Sequence, residues 1–143
     1  MSPFDRAVLA ERAAALERHL ARVAARLPPL ESDLVASTDA SDVVILHLWQ
    51  ATQTVIDLAV SLCVARGLGT PQNYADAFRR LQRAGIVEVE LADRLVKAAG
   101  FRNIVAHAYE QLDMARVHRA ASAGPSDLRA FVRILQRLTS AKT

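Results

Sequence analysis

Apolar residues in this chain return at alternating spacings of four and three over long stretches, and no strict one-in-two alternation is sustained. The first pattern lines one side of an α-helix; the second is what a half-buried strand needs. Leu9, Ala13, Leu16, Leu20, Val23 and Leu27 form such a helical seam. A first helix is therefore expected from about Pro3 to Arg26, with Ser2 as N-cap and Asp5 in the positive end of the dipole. Pro28-Pro29 stops it, and residues 28–40 read as a connecting loop. A second helix, about Ser41 to Arg66, ends at Gly67 and Gly69 and is apolar around most of its circumference. Such a helix belongs in the centre of a bundle or at a subunit interface.

The third helix is expected from about Pro71 to Ala84, with Thr70 as N-cap, Tyr74, Phe78 and Leu81 as its apolar edge, and Gly85 as C-cap. The fourth runs from about Glu88 to Leu112 and turns Leu91, Leu95, Val96 and Ala99 inward. Gly100 inside it suggests a position where another backbone comes close. Asp113 can cap a short helical piece to about Ala123, Gly124-Pro125 breaks it, and Ser126 caps a last helix with Leu128, Phe131, Val132, Leu135 and Leu138 on its inner face. The expected fold is all-α, a bundle of five or six helices in one domain spanning 1–143.

Composition narrows the function classes. With 52% apolar and 23% charged residues, 143 residues can build a core, which excludes a disordered chain. A single cysteine, Cys63, excludes a disulfide framework and a cysteine-based zinc site, and reads as a small buried hydrophobe. MSPFDRAV lacks the apolar segment of a signal peptide, and Val43–Ala65 carries His47, Gln50, Gln53 and Asp57, too polar for a lipid span. No membrane association and a cytoplasmic address are expected. The net charge is +3, with five Arg and one Lys against Asp127 alone in residues 116–143, which hints at an anionic partner.

The segment Gly100-Phe101-Arg102-Asn103-Ile104-Val105-Ala106-His107-Ala108-Tyr109 sets four polar groups in apolar surroundings. On an ideal helix, Arg102, Asn103, His107 and Tyr109 fall within an arc of about 160°. Asn103 and His107, four apart, are surface neighbours. One face thus offers a permanent cation, an amide, a group titrating near neutral pH and a phenol. That set suits phosphodiester chemistry. Arginine grips phosphate oxygens with two donors and stabilises charge developing on them. Histidine takes a proton from a ribose 2′-hydroxyl or gives one to the leaving oxygen. RNA brings its own nucleophile, so neither metal nor cofactor is required. One histidine cannot readily be base and acid in one step, whereas a two-fold dimer joining two such helices supplies a pair. Arg, four residues, His, one residue, Tyr is expected by chance fewer than about 0.01 times in a chain of this composition.

The run GFRNIVAHAY resembles the signature of HepT-like toxins of the HEPN superfamily, with Arg102, His107 and Tyr109 matching position for position and Asn103 fitting the polar residue after the arginine. The resemblance extends to LWQATQTVIDLA, TPQNYADAF and GIVEVELADRL and covers most of residues 40–135. It implies a dimeric, HEPN-like all-α protein acting as a metal-independent endoribonuclease on tRNA or mRNA, as the toxin of a toxin–antitoxin system. Arg102, His107 and Asn103 would be catalytic, with a 2′,3′-cyclic phosphate as the expected product. It further implies an MntA-like minimal nucleotidyltransferase antitoxin that transfers AMP to Tyr109. Phosphodiester anions added near Arg102 would occupy the cation and repel an RNA backbone. The alternative is a non-catalytic helical partner subunit that binds nucleotide or RNA without cleaving it.

Other residues carry weaker signals. Asp57, the lone acid in the apolar part of the second helix, either pairs with Arg102 and sets its direction or makes a buried structural ion pair elsewhere. Arg129, Arg133 and Arg137 recur every four residues, as a solvated face or as an RNA or antitoxin contact. His19, His47 and His118 lack the spacing of a metal site and read as surface or core residues.

Overall fold

The computed structural model describes residues 5–108 and 112–140, with side chains omitted at 104 and 106–108. Those residues form five α-helices and no strand: α1 (Arg6–Arg26), α2 (Asp39–Ala65), α3 (Tyr74–Arg83), α4 (Val89–Ala108) and α5 (Met114–Ser140), with a 3-10 turn at Glu31–Asp33 between the first two. The all-α bundle expected from periodicity is present at its lower helix count.

α2 is the centre of the bundle and packs against each of the other four helices. Val44, Ala51, Val55, Leu58, Ala59 and Leu62 are buried along its length. Its threonines cost little there, because Thr52 and Thr54 donate their hydroxyls to the carbonyls of Leu48 and Gln50, at 2.8 and 3.0 Å. By length and hydropathy α2 could cross a membrane, but half of its most apolar stretch is buried inside the bundle. The α1 seam is as expected, with Leu9, Leu16, Leu20 and Val23 fully covered. Phe78 of α3 meets Phe131 of α5 edge to face, centroids 5.7 Å apart. Cys63 is buried and points its thiol at the Ala77 carbonyl.

Helix ends follow side-chain chemistry more closely than proline position. Asp5 caps α1 by accepting from the Ala7 amide at 2.8 Å, where Ser2 was expected; Ser2 and Pro3 lie outside the described residues. Thr38 and Ser41 cap α2 reciprocally, so that helix begins two residues earlier than expected. α3 begins at Tyr74, not Pro71, because Asn73 rather than Thr70 receives the Asp76 amide. At the far ends of α2 and α3, Gly67 (φ 69°) and Gly85 (φ 76°) take the left-handed conformation. The amides that follow them, Leu68 and Ile86, return to Cys63 and Leu81 and close each helix.

Two expectations are corrected. Gly124-Pro125 does not break the last segment: α5 is continuous through Pro125. Burial of Val117 and Ala121 before the proline and Leu128, Phe131 and Leu135 after it holds both halves in one helix, outweighing one missing backbone donor. Asp113 does cap this helix, accepting from Ala115 at 2.9 Å. At Gly100 no backbone approaches closely; the nearest atom to a would-be Cβ is the Tyr74 hydroxyl, at an ordinary 4.0 Å.

His19 of α1 and His47 of α2 meet, with Nδ1 atoms 3.0 Å apart, a contact for which the sequence reading had no signal. Burial, then the His47 ring and the guanidinium groups of Arg18 and Arg22, pull the His19 pKa below 6.5. Burial and Arg22 do the same to His47. A lowered folded pKa means the unfolded chain binds the proton more readily, so the pair carries no penalty above pH 6.5 and destabilises the fold as pH falls below that.

Two stability outcomes follow. Lowering the pH from about 7 to about 5 depresses the thermal midpoint, and the drop shrinks in the His19→Gln, His47→Gln double variant, as scanning fluorimetry across that range will read. Pro125→Ala restores the missing helix bond and raises stability by up to about 3 kcal/mol in chemical denaturation.

Candidate active site

The polar segment of α4 lies against α2 and α3, and the first two of its polar side chains are held from those helices. Arg102, half-buried, donates through Nε to Oε1 of Gln53 on α2. Its guanidinium carbon lies 5.5 Å from the centre of the Trp49 ring, one turn earlier on α2, a cation–π contact. Gln53 is oriented in turn: its Nε2 donates to Asp57 at 2.8 Å. A carboxylate accepts only, so it draws the amide nitrogen of Gln53 and turns the amide oxygen toward Arg102. The result is a relay Asp57–Gln53–Arg102. The two terminal nitrogens of the guanidinium have no protein partner among the described residues, so a two-pronged donor remains for an anion.

Asp57 therefore fits neither sequence alternative. It is exposed rather than buried, and it reaches Arg102 through Gln53 rather than directly. Asn103, one residue on, is exposed and donates through Nδ2 to the Tyr74 hydroxyl of α3 at 3.1 Å. It is thus fixed by a neighbouring helix. His107 belongs to α4 by its backbone, but its side chain, and Tyr109 altogether, lie outside the described residues.

Trp49, Gln53 and Tyr74 were not singled out as site residues from the sequence. The only available signal was that Gln53 and Asp57 stand four apart in an otherwise apolar helix, a spacing at which such side chains meet.

The remaining candidates are distributed elsewhere. Arg129 is engaged with Glu17 of α1 at 3.0 Å, while Arg133 and Arg137 are exposed on the same helix. His118 is buried, with Nε2 2.7 Å from the Pro28 carbonyl, and ties α5 to the chain leaving α1. Among the described residues no group of three or more His, Cys, Asp or Glu side chains could hold a metal ion.

Comparison with known proteins converges on one family. The family described as Ribonuclease HepT-like matches residues 16–135. The mRNA nuclease HepT of Shewanella oneidensis is 30% identical over 95 residues, covering 66% of this chain and 71% of that protein. Among solved structures, the tri-AMPylated Shewanella oneidensis HEPN toxin in complex with MNT antitoxin superposes with a TM-score of 0.81 at 26% identity, covering 90% of this chain and 96% of that one. The cytosolic protein YutE of Bacillus subtilis shares the fold, with a TM-score of 0.80 at 17% identity over 99% of this chain and 95% of its own. The match spans the central helix, the relay on Arg102 and nearly all of the bundle: this chain belongs to the HepT-like ribonuclease family.

Proposed function

We propose that this chain is the toxin of a toxin–antitoxin pair, an endoribonuclease that cleaves RNA without a metal ion and works in the cytoplasm. The observation that carries the reading is Arg102, which is anchored by Nε to Gln53 and backed by Trp49. A guanidinium held at its inner nitrogen with its outer fork unengaged is suited to a phosphate. In the proposed reaction the fork of Arg102 binds the two non-bridging oxygens of the scissile phosphate and takes up charge as the pentacovalent state forms. His107 removes the proton from the ribose 2′-hydroxyl, whose oxygen attacks phosphorus. The bond from phosphorus to the 5′-oxygen breaks, and that oxygen leaves with a proton. The products are a 2′,3′-cyclic phosphate and a 5′-hydroxyl. Asn103, steadied by Tyr74, positions one of the two protons in flight.

The two proton transfers call for two histidines, and a homodimer supplies them. The outward side of α2 favours that assembly: Leu46 and Val64 are about half exposed there, at 49% and 57%, with half-buried Trp49 between them. Exposed apolar groups of this kind lose water contact when a second copy covers them.

The relative from Shewanella oneidensis is an mRNA nuclease, and mRNA is accordingly the first substrate to try, with tRNA beside it. The solved toxin that this fold matches is AMPylated and bound to MNT antitoxin. We assign the acceptor here to Tyr109 and the partner to an MntA-like nucleotidyltransferase. Adenylyl groups on Tyr109 bring phosphodiester anions toward the Arg102 end of α4 and compete with RNA for it. Arg133 and Arg137, exposed on α5, are available to RNA or to the antitoxin; Arg129 is already paired.

Arg102→Ala and His107→Ala are each expected to lower RNA cleavage by about 10²–10⁴-fold and to relieve growth arrest, with helicity and dimer size unchanged. Cleavage persists in EDTA and leaves 2′,3′-cyclic ends. Folded variants that still cut, or activity that disappears in EDTA and returns with Mg²⁺, overturn the assignment. Binding of RNA with no cleavage at all selects the non-catalytic alternative. Gln53→Ala removes the anchor on Arg102 while leaving the motif intact, and is expected to reduce cleavage by about 10- to 100-fold. Thermal melting run in parallel checks that the fold survives; an unchanged rate would show that α2 does not orient the arginine.

A further inference from the structure

The side of α4 next to Arg102 borders a groove of about 790 Å³ between α4 and α5, which the catalytic reading leaves unused. Its floor is apolar, with Phe101, Val117 and Leu128 buried beneath it. Its walls carry four cations, Arg94, Lys97, Arg116 and Arg119, against two carboxylates, Asp113 and Asp127. Two of the cations are neutralised: Arg94 by Asp127 at 2.9 Å, and Arg119 by Glu31 at 3.4 Å. Asp113 is turned to the start of α5, where it caps the Ala115 amide. That leaves Lys97 on one wall and Arg116 on the other, both exposed and without a carboxylate partner among the described residues.

A concave apolar floor between two unpaired cations fits a nucleobase lying on the floor and phosphates held at the walls. The volume suits one or two nucleotides rather than a folded partner. Position favours a strand over a free nucleotide. Ala98, which lines the groove, is one helical turn from Arg102, and Lys97 is about 7.5 Å from it along the axis of α4. Lys97 is also about 140° around α4 from Arg102 and stands on the far wall, so a strand whose scissile phosphate sits on Arg102 reaches it only by crossing Ala98 and the Phe101 floor.

We propose that the α4–α5 groove is a single-stranded RNA subsite in which Lys97 and Arg116 hold phosphates flanking the cleavage point and the Phe101 floor receives a base. The proposal rests on the reading of Arg102 as an RNA phosphate site. It makes the groove a determinant of which RNA segments are presented for cutting, since only unpaired nucleotides can lay a base on that floor.

The test uses the full-length protein and a fluorescein-labelled 2′-O-methyl oligouridine, whose blocked 2′-oxygen prevents cleavage, with binding read by anisotropy over a salt series. Lys97→Ala with Arg116→Ala is expected to weaken binding about tenfold and to reduce the slope of log affinity against log salt by about 1.4, the value for two phosphates on a single strand. Arg6→Ala with Arg12→Ala removes equal charge from exposed positions on α1 and is expected to change affinity by less than about twofold. Equal binding by the groove variant and the unaltered protein overturns the proposal, as does equal weakening by the α1 variant. So does failure of the unaltered protein to bind at low salt. A groove variant that binds the oligonucleotide normally but no longer assembles with a nucleotidyltransferase partner makes the groove a protein contact and also overturns it. Because no cleavage is measured, an unaltered protein that binds but never cuts natural RNA removes the nuclease reading and leaves the subsite standing.

Discussion

Everything in this molecule depends on burying α2. It is the one helix that touches all four others, and Val44, Ala51 and Ala59 on it retain no exposure at all. Burial of its larger side chains, Val44, Leu48, Val55, Leu58 and Leu62, contributes roughly 1.5–3 kcal/mol each, against a net stability for a domain of this kind of about 5–15 kcal/mol. The face of α2 turned away from that core holds Trp49, Gln53 and Asp57. The same helix therefore supplies both the packing that fixes α4 and the groups that aim Arg102. A side-chain arrangement borrowed from a core helix is hard to disturb without disturbing the core, because close-packed interiors resist small displacements.

How far the sequence disclosed this differs by interaction range. The seams of α1, α3 and α5 were legible because burial imposes a period that survives in the letters: Leu9, Leu16, Leu20 and Val23 on one helix, Leu128, Phe131 and Leu135 on another. Helix ends were less legible. Thr70-Pro71 and Asn73 both offer a start signal within four residues, and only the direction of the Asn73 side chain decides between them. Pro125 misled for a related reason. Its local preference is real, but the buried residues on both sides of it decide the path of the backbone, and their joint effect is tertiary.

The site divides in the same way. The spacing of Arg102, Asn103, His107 and Tyr109 is written along a single helix and could be read directly. The relay to Gln53 and Asp57 joins residues 49 apart in the chain, and the contact between Asn103 and Tyr74 joins residues 29 apart. No periodicity encodes such pairs. Asp57 was noticed because an acid in an apolar helix needs an explanation, and Gln53 was passed over because a neutral amide there does not. Charge in bulk located the cations only in part. The arginine-rich C-terminal segment pointed to an anionic partner; Arg129 of that segment is occupied by Glu17, and the groove cations without a carboxylate partner among the described residues are Arg116, from that segment, and Lys97 of α4.

The way Arg102 is held has a consequence for what residue 102 can be. One nitrogen of the planar group, the one nearest the backbone, is already engaged with α2, and the ring of Trp49 lies within cation–π reach of the same group. Binding an anion at the tip while staying tethered at the base requires donors at both ends of one rigid plane. Lysine has a single charged point at the end of a flexible stem; it could reach the anion or the tether, but not both. The choice of amino acid at 102 is thus dictated from behind, by the helix that carries it, as much as from in front by whatever it binds.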